Sequence, residues 1–165
     1  MAAGSTYTPI ATTTASSGTT VTFSSIPSTY TDLCLKISIR SNSNTSDCKI
    51  EFNGVTTSYS ERAVGGGGSS AYSFNDGIIN PLVIPSTFTA STFTSTDVYI
   101  PNYAGSINKS LSLDSVQENN ATSSNAILTA ALWSNTSAIS SIKIAATTGN
   151  FVEFSTAYLY GVKNA

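Results

Sequence analysis

The side chains that could carry acid-base chemistry are few and scattered. The 165 residues include nine carboxylates and no histidine, so the side chain that most often serves as a general base or metal ligand near neutral pH is missing. A serine nucleophile would have no histidine to activate it, and no Gly-x-Ser-x-Gly motif occurs. The carboxylates stand singly, and nothing favours the paired acids of a glycosidase. We therefore expect a protein that is not an enzyme and needs no cofactor.

Calcium is the metal that this sequence could bind most easily, because its oxygen ligands can come from loops. The segment Asn75-Asp76-Gly77 is the best candidate for such a loop. The same residue types also form ordinary turns, since Asn, Asp and Gly tolerate turn conformations. We interpret the segment as a turn and predict no metal site.

Two cysteines, Cys34 and Cys48, flank the first clear hairpin. Side chains alternate between the two faces of a strand, which puts Cys34 on the polar face of its strand and Cys48 on the same face as Ile50 and Phe52. A disulfide would require the two strands to disagree about which face is inside. The sequence therefore predicts two free thiols, as is usual in a reducing compartment.

Small hydroxyl side chains dominate the composition, with 29 Ser and 24 Thr. The net charge of -2, from seven basic and nine acidic residues, leaves no basic stripe for nucleic acid. The 40 % of hydrophobic residues and 16 aromatics are too many for a disordered chain. No apolar run reaches the 18 residues of a membrane span, and the first 20 residues lack the features of a signal peptide. We expect a folded, soluble protein that binds neither membrane nor nucleic acid.

Period-two alternation of apolar and polar residues predicts strands along most of the chain. The clearest strand is 33–40, with Leu33, Leu35, Ile37 and Ile39 on one face. The other predicted strands cover residues 7–11, 20–24, 48–52, 58–64, 78–84, 91–100, 110–116, 126–133, 141–145 and 156–162. Segment 126–133 has some helical propensity, but its all-β surroundings favour a buried strand. Tyr158 and Tyr160 share a face of the last strand, and we interpret them as core or sheet-surface packing rather than as a sugar-binding platform.

Many short antiparallel strands around one core are typical of a sandwich or a barrel. Several connections are too long for a simple meander, which favours a jelly roll. We predict an all-β, single-domain antiparallel β-sandwich, jelly-roll-like, over residues 19–165, with an extended N-terminal arm. Residues 1–18 have β character but few apolar anchors, so they form either that arm or an edge strand.

Two segments are candidates for binding a partner. An extended arm can add a strand to a neighbour's sheet and gain main-chain hydrogen bonds without a hydrophobic face. The connection 65–80 contains four successive glycines followed by two aromatics, and it is either a mobile surface loop or a loop ordered by a partner. The candidate partner-binding residues are Thr6, Tyr7, Thr8, Pro9, Ile10, Gly65, Gly66, Gly67, Gly68, Tyr72 and Phe74.

Several motifs occur in a distinctive order along the chain. They are Met1 to Thr14, Tyr30-Thr31-Asp32-Leu33-Cys34-Leu35, Phe52-Asn53-Gly54 with Tyr59-Ser60, Leu132-Trp133 with Ser137 to Ile144, and Gly149-Asn150-Phe151 with Tyr158 to Lys163. This order resembles the small Ser/Thr-rich structural virion proteins of tailed bacteriophages. The resemblance covers most of the chain apart from residues 64–95, and its motifs are structural, without catalytic content.

The resemblance implies a virion protein that is made in the bacterial host cytoplasm and then assembled. Our first expectation is a capsid decoration, or cement, protein that forms a homotrimer on the outer head surface and clamps the major capsid protein. The alternative is a tail fibre or tail-tip module that recognises a host-surface glycan. A third alternative, a free carbohydrate-binding module or glycan-directed enzyme, is disfavoured by the missing signal peptide and the missing carboxylate pair.

Overall fold

The computed structural model describes residues 6–15, 17–45, 47–120 and 124–163. These residues form β-strands joined by turns and loops, with no helix among them. The strands are β1 (Tyr7–Ala15), β2 (Thr20–Phe23), β3 (Asp32–Ser38), β4 (Cys48–Phe52), β5 (Tyr59–Gly66), β6 (Ala71–Asp76), β7 (Ser95–Ile100), β8 (Lys109–Glu118), β9 (Ser124–Trp133), β10 (Ile142–Ala146) and β11 (Ser155–Val162).

The strands build two antiparallel sheets of unequal size. The large sheet has eight strands in the order β1-β11-β3-β7-β8-β9-β5-β6, and the small sheet has the order β2-β10-β4. The first strand pairs with the last and the second with the last but one. This nested pairing, in which the chain crosses between sheets from β1 to β4, is the wrapping expected of a jelly roll. The predicted all-β antiparallel sandwich is therefore confirmed.

The core lies between the small sheet and one face of the large sheet. Alternate residues of β3, β7, β8 and β11 point into it, as the period-two pattern requires. Trp133, Tyr59 and Phe52 form its aromatic centre, with the Trp133 ring 5.4 Å from Phe52 and 6.2 Å from Tyr59, centroid to centroid. Segment 126–133, whose helical propensity was the main ambiguity, lies in β9 and carries the buried Trp133.

Predicted strand 78–84 does not form. Its residues bond their neighbours at single points. Ile50 N–H of the small sheet donates to Ile79 O at 2.9 Å, and Ile84 forms one bridge with Arg40, which follows β3 of the large sheet. Pro81 removes a main-chain donor within the segment, Pro85 follows it directly, and Leu82 has a positive φ of 58°. A regular ladder is not compatible with these features.

The predicted start of strand 91–100 was also too early. The strand begins at Ser95, after a loop that Arg40 holds together. The Arg40 guanidinium donates to the carbonyl oxygens of Thr89 at 2.8 Å and Phe88 at 2.9 Å. Several carbonyls converging on one guanidinium fix this loop in an irregular conformation without a ladder.

Candidate functional site

The two predicted partner-binding segments lie at opposite edges of the large sheet. Thr6 precedes β1 and residues 7–10 belong to it, whereas Gly65, Gly66, Tyr72 and Phe74 belong to the β5–β6 hairpin. Strands β1 and β6 are the two end strands of the order, seven strand spacings apart, which is about 33 Å in a flat sheet. The fold therefore does not bring the two segments together into one site.

At the N-terminal edge, the edge-strand alternative describes residues 7–15. They pair with β11 from Tyr7↔Val162 to Ala15↔Ser155, with an irregularity between Pro9 and Ala11. Ile10 packs against the core, and Thr6 O accepts a bond from Lys163 N–H at 3.2 Å. Residues 1–5 and 16 of the predicted arm lie outside the described residues. Pro9 and the bulge blunt this edge against further strand pairing.

The predicted loop 65–80 is wrong over its first part, because residues 65–76 form the end of β5, a turn and all of β6. Gly65 and Gly66 end β5, and Gly67 and Gly68 enter the turn to β6, where Gly68 has a φ of 90°. A Cβ on Gly65 would lie 2.9 Å from both the carbonyl oxygen of Ala126 and Cγ1 of Ile127. The glycine is needed here because the backbone of β9 and a side chain approach closely.

Tyr72 and Phe74 project from β6 on the side of the large sheet that faces the core. They lie opposite Gly65 and Ala63 and stack with their ring centroids 6.3 Å apart. Because the small sheet does not extend this far, the two rings are 37 % and 36 % exposed. Tyr72 OH donates to Asn125 Oδ1 at 2.7 Å.

The larger accessible surface is the opposite side of the large sheet, which we call the outer face. Two rows of directly paired residues cross it from β1 to β6. One row is Thr12, Tyr158, Lys36, Asp97, Asp114, Leu128, Val64 and Ser73, and the other is Pro9, Tyr160, Cys34, Tyr99, Ser112, Ala130, Arg62 and Asn75. The rows change character half-way. We call β1, β11, β3 and β7 the tyrosine half, and β8, β9, β5 and β6 the aliphatic half.

The tyrosine half carries four aromatic rings. Tyr7 is 53 % exposed, Tyr99 42 % and Tyr158 39 %, and Tyr160 is half-buried. Tyr7 and Tyr160 meet edge to face at 6.5 Å. Tyr99 OH donates to Asp32 Oδ2 at 2.6 Å, and this bond, together with burial and the Asp32 charge, raises the pKa of Tyr99 to about 12. Exposed tyrosines of this kind present an apolar ring with a polar hydroxyl at its edge, and the hydroxyl of Tyr99 is held in place by Asp32.

This half also carries an exposed ion pair. Lys36 Nζ lies 2.5 Å from Asp97 Oδ2, with about half of each side chain exposed. The hydrogen bond to Asp97 raises the pKa of Lys36, although burial opposes it. Cys34 lies between Tyr160 and Tyr99, on the outer side as predicted, but these neighbours bury it.

Both cysteines are free, as predicted. Burial is the largest cause of a raised pKa for each thiol. The Cys48 thiol also donates to Leu82 O at 3.3 Å. Thiols in these surroundings are poor nucleophiles.

The aliphatic half exposes large apolar side chains, with Asp114 and Arg62 beside them on the same face. Val64 and Leu128 lie directly opposite each other on β5 and β9, and each is 58 % exposed. Val116 on β8 is 41 % exposed. A surface depression of about 460 Å³ beside them is lined partly by Arg62 and Ala130. Contiguous exposed aliphatics of this kind are typical of surfaces that bind another protein.

The described residues contain no group of three or more Cys, Asp and Glu side chains that could hold a metal ion. At the segment considered for calcium, Asp76 ends β6 and its Oδ1 accepts a bond from Gly77 N–H at 2.6 Å. No helix in the described part of the chain is long and apolar enough to cross a membrane.

Sequence reasoning missed the outer face as a site. The signals were present, because Lys36 lies on the polar face of its strand and Tyr158 and Tyr160 share a parity. Leu128 and Leu132 are large apolar residues on the side of β9 opposite to Trp133. The sequence did not indicate the strand order, which places Tyr99 beside Cys34 and Val64 beside Leu128.

No protein-family model, no curated protein and no solved structure matches this chain.

Proposed function

We propose that this chain is a structural virion protein of a tailed bacteriophage. In this proposal it is a capsid decoration protein that binds the outer head surface and stabilises the shell. The support from sequence is the resemblance in its motifs. The support from structure is the aliphatic half of the outer face, whose large apolar side chains at Val64, Leu128 and Val116 are exposed in the single chain.

The aliphatic half is suited to docking on a protein neighbour. Its exposed residues lie on paired strands of a sheet, so they are presented as a rigid surface that loses little conformational entropy on binding. Burying aliphatic side chains supplies free energy in proportion to the area removed from water. The neighbours would be the major capsid protein and two further copies of this chain in a homotrimer.

Stabilisation of the shell would follow from mass action. A protein that binds the assembled shell, and not its separated subunits, adds a stability that grows with the logarithm of its saturation. The low net charge of -2 makes such docking less sensitive to salt than an electrostatic interface would be.

The copy number per particle tests this proposal. Quantitative mass spectrometry of purified particles of the encoding phage would compare this chain with the major capsid protein. Copies in the hundreds, in a fixed ratio to the capsid subunit, are expected for a decoration protein. A few to a few dozen copies would contradict the head location, and absence from the particle would contradict both virion roles.

A second candidate, a tail fibre or tail-tip module that recognises a host-surface glycan, is favoured by the tyrosine half. A pyranose ring presents C–H groups on its faces and hydroxyls around its rim. Exposed tyrosine rings attract such C–H groups with their negative faces, and the Lys36–Asp97 pair at 2.5 Å could bond the hydroxyls. Glycan-array binding that is lost in Tyr158→Ala and kept in Leu128→Ala would support this candidate, whereas no binding to any glycan would contradict it.

A further inference from the structure

Glu61, on β5, is a buried acid with an unsatisfied oxygen. Its side chain lies on the core-facing side of the large sheet and is 2 % exposed. One carboxyl oxygen, Oε2, accepts a hydrogen bond from Asn80 N–H at 2.9 Å. The other, Oε1, is enclosed and has no hydrogen-bond partner among the described residues. A buried acceptor without a partner costs free energy, and more if the group is charged.

The charged groups that face Glu61 have the same sign as its carboxylate. Asp76 lies directly opposite on β6, where side chains of paired residues are about 5 Å apart at Cβ. Asp47, just before β4, is linked to Glu61 by Asn80. The Asn80 Nδ2 donates to Asp47 Oδ1 at 3.2 Å, and its main-chain N–H donates to Glu61. Like charges in these positions destabilise the pairing of the strands.

The nearby cations are directed elsewhere. Arg62, the next residue of β5, is exposed on the outer face, and its Nη1 donates to the main-chain carbonyl of Glu61 at 2.8 Å. Lys49 of β4 pairs with Glu51. On the other side of β5, the residue paired with Glu61 is Ala131 of β9, which carries no charge.

Glu51 shows what the same burial does when cations are present. It is also 2 % exposed, but its carboxylate pairs with Lys49 at 2.6 Å and with Lys143. Burial acts to raise the pKa of Glu51, and the two lysines outweigh it, so the pKa is lowered. The surroundings of Glu51 therefore favour its ionised form, whereas the surroundings of Glu61 favour its protonated form.

Glu61 connects two parts of the fold. On one side is the β5–β6 hairpin, whose outer strand β6 is exposed along all six residues. On the other is segment 77–83, which is fixed to the body because its carbonyls at Pro81 and Val83 accept bonds from Thr96 Oγ1 at 2.7 Å and Gln117 Nε2 at 2.6 Å. The Glu61–Asn80 bond joins the hairpin to this segment.

We propose that Glu61 is a proton-operated clasp: its protonated carboxyl holds the β5–β6 hairpin to segment 77–83, and loss of the proton loosens edge strand β6. Protonation removes the buried charge opposite Asp76, while Oε2 still accepts the bond from Asn80 N–H. After deprotonation the buried site holds an uncompensated charge facing two others. Because β6 ends the large sheet, the clasp controls an open strand edge and the exposed rings of Tyr72 and Phe74. It does not depend on the proposed virion role.

The titration falls in an accessible range. Burial, followed by the charges of Asp76 and Asp47, raises the pKa of Glu61 from 4.5 to about 7, against the opposing effect of the Asn80 N–H. The folded protein therefore holds this proton more tightly than the unfolded chain does. The resulting stabilisation is fully present below pH 4.5 and is lost as the pH rises to about 7.

Carboxyl NMR and hydrogen exchange test the clasp directly. The chain has four glutamates, so labelling with ¹³Cδ-glutamate gives four signals, and the signal of Glu61 is the one missing in Glu61→Gln. We expect this signal to titrate near pH 7. Amide protection of residues 71–76, corrected for intrinsic exchange, should fall at least about tenfold between pH 5.5 and 8.5.

Variants separate the clasp from general pH effects. In Glu61→Gln, protection of β6 should stay at its pH 5.5 level up to pH 8.5, whereas the exposed control Glu153→Gln should behave like the wild type. If Glu61→Gln does not fold, Asp76→Asn serves instead, because removing the opposing charge should move the Glu61 titration to lower pH.

Three results would overturn the proposal. The first is a Glu61 signal that titrates at its ordinary pKa of 4.5, and the second is β6 protection that is the same at both pH values. The third is protection regained at pH 8.5 on adding millimolar CaCl₂ to the wild type, since that would assign the site to a cation rather than a proton.

Discussion

The two halves of the outer face belong to one sheet, continue the same rows of paired residues and both face solvent, yet they present different side chains. In the row that runs through Tyr158 and Leu128, the tyrosine half presents a phenol and an ion pair, and the aliphatic half presents Leu128 opposite Val64. A tyrosine can hydrogen-bond water through its hydroxyl and present its apolar ring to a partner. An exposed leucine gains nothing from water, and its free energy improves when a partner covers it.

The difference indicates which half has its exposed side chains held by contacts within the single chain. On the tyrosine half, Asp32 fixes Tyr99, Lys36 neutralises Asp97, and Tyr7 packs against Tyr160. On the aliphatic half, Val64 and Leu128 are each 58 % exposed, so most of their apolar surface stays in contact with water. This contrast favours the aliphatic half as the docking surface in the proposed virion role.

The largest expected effect comes from placing a charge in the aliphatic half. Leu128→Glu should weaken binding to phage heads by about 100-fold or more, because a charge would be buried without a partner. The free energy of unfolding should fall by no more than about 1 kcal/mol, since the site is exposed but lies directly opposite Asp114. Co-sedimentation with heads that lack the protein measures the first effect, and urea unfolding the second.

The matched control is Thr12→Glu, which adds the same charge to the same row at the opposite edge of the sheet. It should leave head binding unchanged. Equal losses in both variants would show that the halves do not differ in function.

A smaller effect is expected where the β5–β6 hairpin is pressed against β9. Gly65→Ala would put a Cβ 2.9 Å from the Ala126 carbonyl oxygen, which cannot move without shifting the strand. We expect a loss of about 1–3 kcal/mol in urea unfolding. Gly77→Ala is the control, because a Cβ there meets no atom within 4 Å. A neutral Gly65→Ala would show that the hairpin is not held by this close approach.

The smallest effect is expected at the phenol that orients the tyrosine half. Tyr99→Phe removes the donor to Asp32, a carboxylate that is 6 % exposed and keeps only the bond from Asn102 N–H at 2.9 Å among those described. The cost should be about 1–2 kcal/mol in urea unfolding. Tyr158→Phe, at an exposed ring, should cost less than about 0.5 kcal/mol. Equal costs in the two variants would contradict the positioning role of Asp32.

Much of the fold could be predicted from alternation alone. Strands with one buried face, such as β3 and β4, appear in the sequence because Leu33, Leu35 and Ile37 must point to the core. The sequence predicted a jelly-roll-like sandwich but not the order of the strands in its sheets. Which strand lies beside which depends on packing between residues distant in sequence. Such contacts place β8, β9, β5 and β6 next to one another in the large sheet.

The candidate site was harder to predict, for two physical reasons. Four successive glycines suggest flexibility, but Gly65 is there because β9 comes too close for a side chain. Glu61 is an ordinary polar residue in the sequence, and its burial opposite Asp76 depends on the pairing of β5 with β6. Both properties arise from neighbours distant in sequence, which no local pattern contains.

The central claim is that the aliphatic half is covered in the assembled particle while the tyrosine half stays accessible. Hydroxyl-radical footprinting, read by mass spectrometry, tests it by comparing the free protein with the protein in purified particles. We expect strong protection of Val64 and Leu128 on assembly, with Tyr99 and Tyr158 as reactive as in the free chain. Protection of the tyrosines with Leu128 still reactive would contradict it.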